Sequence, residues 1–322
     1  MIDPNAPNWE RAVLEKVALK AIDEQRRDRH WRILFRLLWL GFLFLLFAAV
    51  MGWIGRGEEK PRFSGKHTAL VELKGVIAAE GKASSDRMLS ALNAAFKDRN
   101  TVAVVMRINS PGGSPVQAGT INDEMHRLRA KYPDIPLYAV VSDIAASGGY
   151  YVAVGADRIY VDKASIVGSI GVIMDGFGFT GAMEKLGVDR RTLTAGENKA
   201  FLDPFAPANP QQQEIARKML DEIHQQFIKV VRAGRGSRLK ESPEMFSGLV
   251  WSGERSLELG LADALGSLDY VAREVVKAEH VVDFTPEENY LEAFSRRLGA
   301  STGETLGRAI AEITARAAGS IR

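Results

Sequence analysis

Residues 102–113 read VAVVMRINSPGG, and this stretch decides the fold class. Val102–Ile108 is apolar at every position but Arg107. A run this continuous is the pattern of a strand covered on both faces, as in a parallel sheet flanked by helices. The loop Asn109-Ser110-Pro111-Gly112-Gly113-Ser114 follows directly. Adjacent glycines let backbone N–H groups point into a cavity without side-chain cover. The loop therefore reads either as an oxyanion-binding turn or as a tight turn that caps the next helix. Outward from it, strands and helices alternate. Thr68–Leu73 predicts a strand, and Ser85–Phe96 a helix with Met88, Leu89, Leu92 and Phe96 at helical spacing behind a capping serine. Val116–Lys131 predicts a helix, Leu137–Ser142 a strand, and Gln211–Arg232 and Leu268–Lys277 further helices. The alternation predicts one α/β domain over residues 68–278.

The N-terminal part is of another kind. Leu37–Ile54 reads LLWLGFLFLLFAAVMGWI, 18 residues without a charge. As a helix it is about 27 Å long, and Ile33–Phe35 extend it if Arg36 snorkels. Trp31, Trp39 and Trp53 fall towards its ends, where amphipathic rings favour a membrane interface. The 36 residues ahead of it and the lack of a small-x-small cleavage site favour an uncleaved signal anchor over a signal peptide. The expected division is a charged amphipathic arm at 1–32, a transmembrane helix at 33–54, a linker at 55–67, the α/β domain at 68–278 and a tail at 279–322. Six Lys/Arg in the 20 residues before the uncharged run and five in the 20 after it set orientation only weakly.

The 322 residues are 46% hydrophobic and 25% charged, which excludes a mainly disordered chain. Of the net charge of +2, all lies in residues 1–36, where eight Lys/Arg face six Asp/Glu; the rest carries 34 of each sign. Such a balance gives no footprint for nucleic acid. The absence of cysteine excludes disulfides, thiolate catalysis and cysteine-bound zinc. Five histidines at 30, 67, 126, 224 and 280 form no HExxH or paired spacing, so no metal centre is expected. Gly176-Phe177-Gly178-Phe179-Thr180-Gly181 matches GxGxxG, but Asp203, near the distance of a ribose-binding acid, follows a Lys/Pro loop rather than a strand. No cofactor is expected.

Three further junctions are rich in Gly and Ser. Asp143-Ile144-Ala145-Ala146-Ser147-Gly148-Gly149-Tyr150 follows an apolar strand and opens a helix. Ser147 there is either an N-cap or a nucleophile. The small residues around it clear space that a cap does not need, and Gly148 N–H would lie next to an attacked carbonyl carbon. This is not a GxSxG elbow, because Ala145 stands where the first glycine would be. Val167–Val172 (VGSIGV) and Gly196-Glu197-Asn198-Lys199-Ala200 are the other two. A serine nucleophile needs a base, and no histidine lies in any of these junctions. A lysine can serve if its pKa is lowered towards neutrality. Lys199 is placed to reach a cleft, with Lys163 and Lys185 as competitors that spacing leaves open.

INSPGG at 108–113, IAASGGYYVA at 144–153, SIVGSIGV at 165–172, GENK at 196–199, and Trp251-Ser252-Gly253 running on to Gly260-Leu261-Ala262-Asp263 together resemble the bacterial signal peptide peptidase A family in its short, single-repeat form. The resemblance runs from about Ala69 to Val276 and includes the N-terminal span. It implies a ClpP/crotonase-like α/β fold and a serine protease in which Ser147 is the nucleophile, Lys199 the general base and Ser169 the hydroxyl that holds the lysine amine. Gly113 and Gly148 are implied as the backbone donors of the oxyanion hole. Glu197 departs from the less charged residues expected beside Lys199. A carboxylate aimed at Lys199 would raise its pKa, so Glu197 is expected to face away or meet another subunit. The resemblance further implies a homo-oligomeric ring, an octamer being one closure, with Ser and Lys of a site drawn from neighbouring protomers. It implies cleaved signal peptides and similar apolar fragments as substrates, and a single-pass inner-membrane protein with a cytoplasmic N-terminus and an extracytoplasmic protease domain. Two other readings are a crotonase-like acyl-CoA enzyme, which needs no Ser/Lys dyad, and a catalytically silent membrane scaffold.

Overall fold

The computed structural model describes residues 9–50 and 65–286, in two units that are taken separately. In the first, α1 (Trp9–Val50) is a continuous helix of 42 residues, about 63 Å long. No glycine or proline interrupts residues 8–40, so nothing breaks the helix at the expected arm–span boundary near residue 32. Arg26–Ala48 is long and apolar enough to cross a membrane, with a mean hydropathy of 1.8. Its Leu, Phe and Trp side chains from Trp31 to Phe47 are exposed. The linker's residues 55–64, the end of the uncharged run at 51–54, and the tail beyond 286 lie outside the described residues.

The second unit is built on a parallel sheet. Its strands are β1 (His67–Lys74), β2 (Thr101–Ser110), β3 (Leu137–Ala146), β4 (Arg158–Val161), β5 (Ile166–Gly168), β6 (Val250–Ser252), β7 (Ala264–Leu265) and β8 (Val281–Asp283). The order is β6-β5-β3-β2-β1-β8, with β4 beside β3 and β7 beside β4. All neighbours run parallel except β5 and β6. Val104, Val105, Met106 and Ile108 of β2 are fully buried, as the unbroken apolar run predicts.

Helices cover both faces. On one, α2 (Ser85–Lys97) buries Met88, Ala91, Leu92, Ala95 and Phe96, and α3 (Pro115–Lys131) buries Ala118, Ile121, Met125 and Leu128. These i, i+3, i+4 sets meet Leu73, Met106 and Ile108 in one core. On the other face, Val105, Val140 and Tyr160 pack with Val271. The expected helix over 268–277 is instead a short α-turn, Leu268–Tyr270, widened into a π-helix at Val271–Val276. The wider turn ends with Thr68 Oγ1 donating to Ala278 O at 2.7 Å, which ties this segment to β1 just before β8.

β3 also runs five residues beyond its apolar core, through Ser142 and Asp143 to Ala146. Those polar residues stay in the strand because they are paired. Ser142 O accepts from Ser165 Oγ at 2.6 Å, and Asp143 accepts from Asn109 Nδ2 at 2.7 Å. Having paired with β4 through Tyr138–Val140, the strand pairs with β5 through Ile144–Ala146. β2, β3 and β5 thus end at a shared carboxyl edge, the usual place for a site in an open parallel sheet. After β5, residues 169–209 form a long excursion holding only α5 (Thr180–Leu186), and α6 (Pro210–Arg235) then returns to the domain.

Candidate active site

β3 stops at Ala146 and α4 (Gly148–Ala153) begins two residues later, so Ser147 alone makes the turn. It does so at φ 51°, ψ −123°, a strained conformation for a residue with a Cβ. The strain is held by backbone bonds. Ser147 N donates to Gly168 O at 2.8 Å, and Ser147 O accepts from Tyr150 N and Tyr151 N at 2.9 Å each. The hydroxyl caps no helix N–H. A half-buried serine with a free hydroxyl on a sharp strand-to-helix turn has the geometry of a nucleophile elbow, reached here without the GxSxG sequence.

The loop after β2 packs directly on this turn. Gly112 and Gly113 have φ of 108° and 146°. They are clamped by Ile77, whose N–H donates to Gly112 O and whose carbonyl accepts from Ser114 N, both at 2.8 Å. A Cβ on Gly112 would stand 2.7 Å from Ser147 Cβ and 2.8 Å from Gly148 N, and one on Gly149 would stand 2.7 Å from Ser110 O. The small residues around Ser147 therefore make room mainly for the neighbouring backbone, rather than for an approaching substrate. Gly113 N lies 3.3 Å from the Cβ position of Gly148, so the two N–H groups stand side by side. Among the described residues neither donates to an acceptor. Two unspent donors beside a free hydroxyl are the parts of an oxyanion hole.

Ser169 adjoins them. The last register pair of β3 and β5 is Ala146 with Gly168, so Ser147 and Ser169 leave adjacent strands side by side. Ser169 has φ 50°, and its N–H donates to Leu249 O at 2.7 Å. His224 of α6, with its Nε2 3.1 Å from Ile170 O, braces the same turn. This contact spans 54 residues, and no local signal in the sequence marks it.

Lys199 stands apart. It lies in an exposed turn, its N–H donating to Gly196 O at 3.1 Å, and it does not line the cavity at Ser147. Neither Lys163 nor Lys185 lines that cavity, and both are exposed. Among the described residues Glu197 makes no ion pair with Lys199. Every residue from 184 to 199 is exposed. The excursion closes on itself through Phe179 stacked on Phe205 at 5.3 Å and an Arg190–Asp203 ion pair at 3.2 Å. Gly176, Gly178 and Gly181 lie in it with nothing near their Cβ positions, and no strand leads into them.

The cavity at Ser147 has a volume of about 540 Å³. Gly113, Ser147 and Gly148 border it, and its walls include Val116, Thr120 and Asp123 of α3, Tyr151, Ile173 and Phe227. Burial, reinforced by the Asp123 charge, raises the Tyr151 phenol above its ordinary pKa. Val116, Thr120 and Asp123 fall one turn apart on α3, on a face that looks like an ordinary solvated one in the sequence.

The model of peptidase family S49 matches residues 129–282. A Synechocystis sp. chain provisionally named a protease is 33% identical over 202 residues, covering 63% of this chain and 70% of that one. The chain belongs to peptidase family S49. S49 membership places it among the serine peptidases, with the turn at Ser147 inside the matched region. A protein of Enterococcus faecium provisionally named signal peptide peptidase SppA is 29% identical over 230 residues, covering 69% of this chain and 66% of that one. A Brucella melitensis protein named Na(+)/H(+) antiporter NhaA is 44% identical over 177 residues, 55% of this chain. The present chain spans only 24% of that protein's length.

Proposed function

We propose that this S49 member is a membrane-anchored endopeptidase that hydrolyses cleaved signal peptides and similar apolar peptides by a Ser147/Lys199 dyad. The reading is carried by one observation: a strained Ser147 with a free hydroxyl, beside two unspent backbone donors. A neutral Lys199 amine removes the Ser147 proton as Oγ attacks the peptide carbonyl. Gly113 and Gly148 N–H groups receive the oxyanion, an interaction worth about 3–4 kcal/mol in the transition state. The lysinium then protonates the leaving amine, and a water deprotonated by the lysine releases the acyl group. Ser169 orients the amine.

Because Lys199 sits on an exposed excursion, the dyad is read as forming between protomers, with Lys199 of one reaching Ser147 of the next in a closed ring. Exposed Ile173, Phe177, Leu186, Val188 and Leu193 on the excursion support a protein-covered surface there. The apolar N-terminal helix supports single-pass anchoring in the inner membrane, with the N-terminus cytoplasmic and the peptidase domain outside. An acyl-CoA enzyme of related fold would have no use for a strained serine at the oxyanion donors.

The test uses full-length protein in detergent and a quenched apolar peptide. Ser147→Ala and Lys199→Ala are each expected to lower kcat by about four orders of magnitude or more. Co-assembly of the two inactive variants in equal amounts should restore about a quarter of the sites, because half of each site comes from each neighbour in a head-to-tail ring. Full activity of Lys199→Ala alone would overturn the dyad. Inactive mixtures that assemble normally would overturn its division between protomers.

A further inference from the structure

The cavity beside Ser147 holds an acid that the proposed chemistry does not use. Its mouth is Gly113, Ser147 and Gly148, and its walls are mainly Val116, Tyr151 and Phe227. Asp123 lines it, with Gln226 of α6. The cations on α3 nearest Asp123 are already engaged: Arg127 bonds Glu124, and Arg129 bonds Asp157. Among the described residues Asp123 itself has no ion pair or hydrogen bond, yet its charge acts on Tyr151 across the cavity and on His126 along the helix. Asp123 is exposed, so water solvates its carboxylate, but no protein cation neutralises it where it borders the cavity.

The spacing indicates what kind of ligand would complement it. From Pro115, the first residue of α3, to Asp123 is about 12 Å along the helix axis, and helical side chains tilt back towards the N-terminus. The carboxylate thus stands about two helical turns from the loop that bears Gly113, a separation spanned by a bound carbonyl, an extended lysine or arginine side chain and one hydrogen bond taken together. Apolar walls suit the methylene stem of such a residue, and the carboxylate with an amide oxygen suits its cationic head.

We infer that Asp123 is a specificity-determining residue, selecting peptides with Arg or Lys at the position whose carbonyl Ser147 attacks. The inference rests on the peptidase reading and narrows its substrate class: an apolar peptide, cut after a basic residue.

Two peptides that differ only in Arg against citrulline at that position test it, since citrulline keeps the shape and loses the charge. Binding is measured to full-length Ser147→Ala protein, and cleavage to the wild type. The Arg peptide is expected to bind and to be cleaved about tenfold better, as a hydrogen-bonded charge pair warrants. With Asp123→Asn added the ratio should fall to near one. Equal binding of the two peptides, or a preference that survives Asp123→Asn, would overturn the inference. Cleavage of both without discrimination leaves the peptidase standing and removes the role of Asp123. Asp123-dependent binding without any Ser147-dependent cleavage does the reverse.

Discussion

Ser147 and Lys199 are packed in opposite ways. Around Ser147, Ala145, Ala146, Gly148, Gly149 and Tyr150 are all buried, and the positive-φ residues Gly112, Gly113, Ser147, Gly168 and Ser169 lie in loops held by backbone hydrogen bonds. Around Lys199 the chain is exposed for a long stretch, and Leu193 is 100% exposed. A nucleophile and an oxyanion hole must be held to within fractions of an ångström, and the sheet edge supplies that rigidity. A base can be delivered from outside, by a surface that becomes rigid only when covered. The contrast predicts that substitutions near the sheet act through stability or geometry, while those on the excursion act through assembly.

The largest effect on stability is expected behind the cavity, where α6 is fastened. Arg235 has a fully buried side chain that meets Asp263 in a two-point ion pair, both contacts at 2.9 Å, and donates to Gly260 O at 2.8 Å. Burial pushes the Asp263 carboxyl upward, but the hydrogen bonds and charge of Arg235, the Ile159 N–H and the Arg238 charge outweigh it and leave its pKa lowered. Asp263→Asn strands a buried guanidinium and should cost about 3–5 kcal/mol in denaturant unfolding. The sign with pH follows from the lowered value. The carboxylate's contribution is complete above about pH 4, the ordinary carboxylate range, and is lost as pH falls through the lower folded value. The variant should therefore show a shallower loss of stability on acidification than the wild type. Equal acid limbs would show that Asp263 does not carry this part of the linkage.

Next comes Gly112→Ala. Its methyl would press on Ser147 Cβ and Gly148 N from 2.7 and 2.8 Å, at a φ of 108° that alanine resists. Turnover should drop by about 10²–10³, the cost of losing one oxyanion donor, while the oligomer remains. If turnover survives, the two loops are looser than their packing indicates.

The sheet was legible because buried parallel strands and amphipathic helices each leave a period: Val102–Ile108 and the Met88–Phe96 set needed no tertiary knowledge. The junctions that hold Gly113, Ser147, Gly148 and Ser169 were legible as runs of small residues, but that they belong to one site was implied only by the family resemblance. What the runs were clearing space for was not legible, since Gly112 meets Ser147 only through the sheet. The walls of the cavity left no trace, because Asp123 on α3 differs from any solvated acid only by what faces it. His224 carries no sequence signal for the same reason: its contact with Ile170 is made in space alone. The π-turn at Val271–Val276 is not legible in the sequence, because its apolar period is that of an ordinary helix.

The smallest change in stability is expected at the most exposed apolar residue, and there the comparison is at its sharpest. Leu193 touches nothing that its replacement would uncover, so Leu193→Asp should leave the unfolding free energy of the isolated protomer within about 0.5 kcal/mol of wild type. In a chain whose excursion is covered by a second copy, the same substitution buries a charge in that contact, which costs several kcal/mol unless it is paired. Sedimentation of the detergent-solubilised protein should then show smaller species, and peptide turnover should fall in step with them, because each lost contact removes a base from its nucleophile. A protein that assembles and turns over normally with aspartate at 193 would mean that the excursion delivers Lys199 within its own chain. In that case the exposed stretch must fold inward, and Lys199 must reach Ser147 by a movement that breaks the Phe179–Phe205 stack and the Arg190–Asp203 pair.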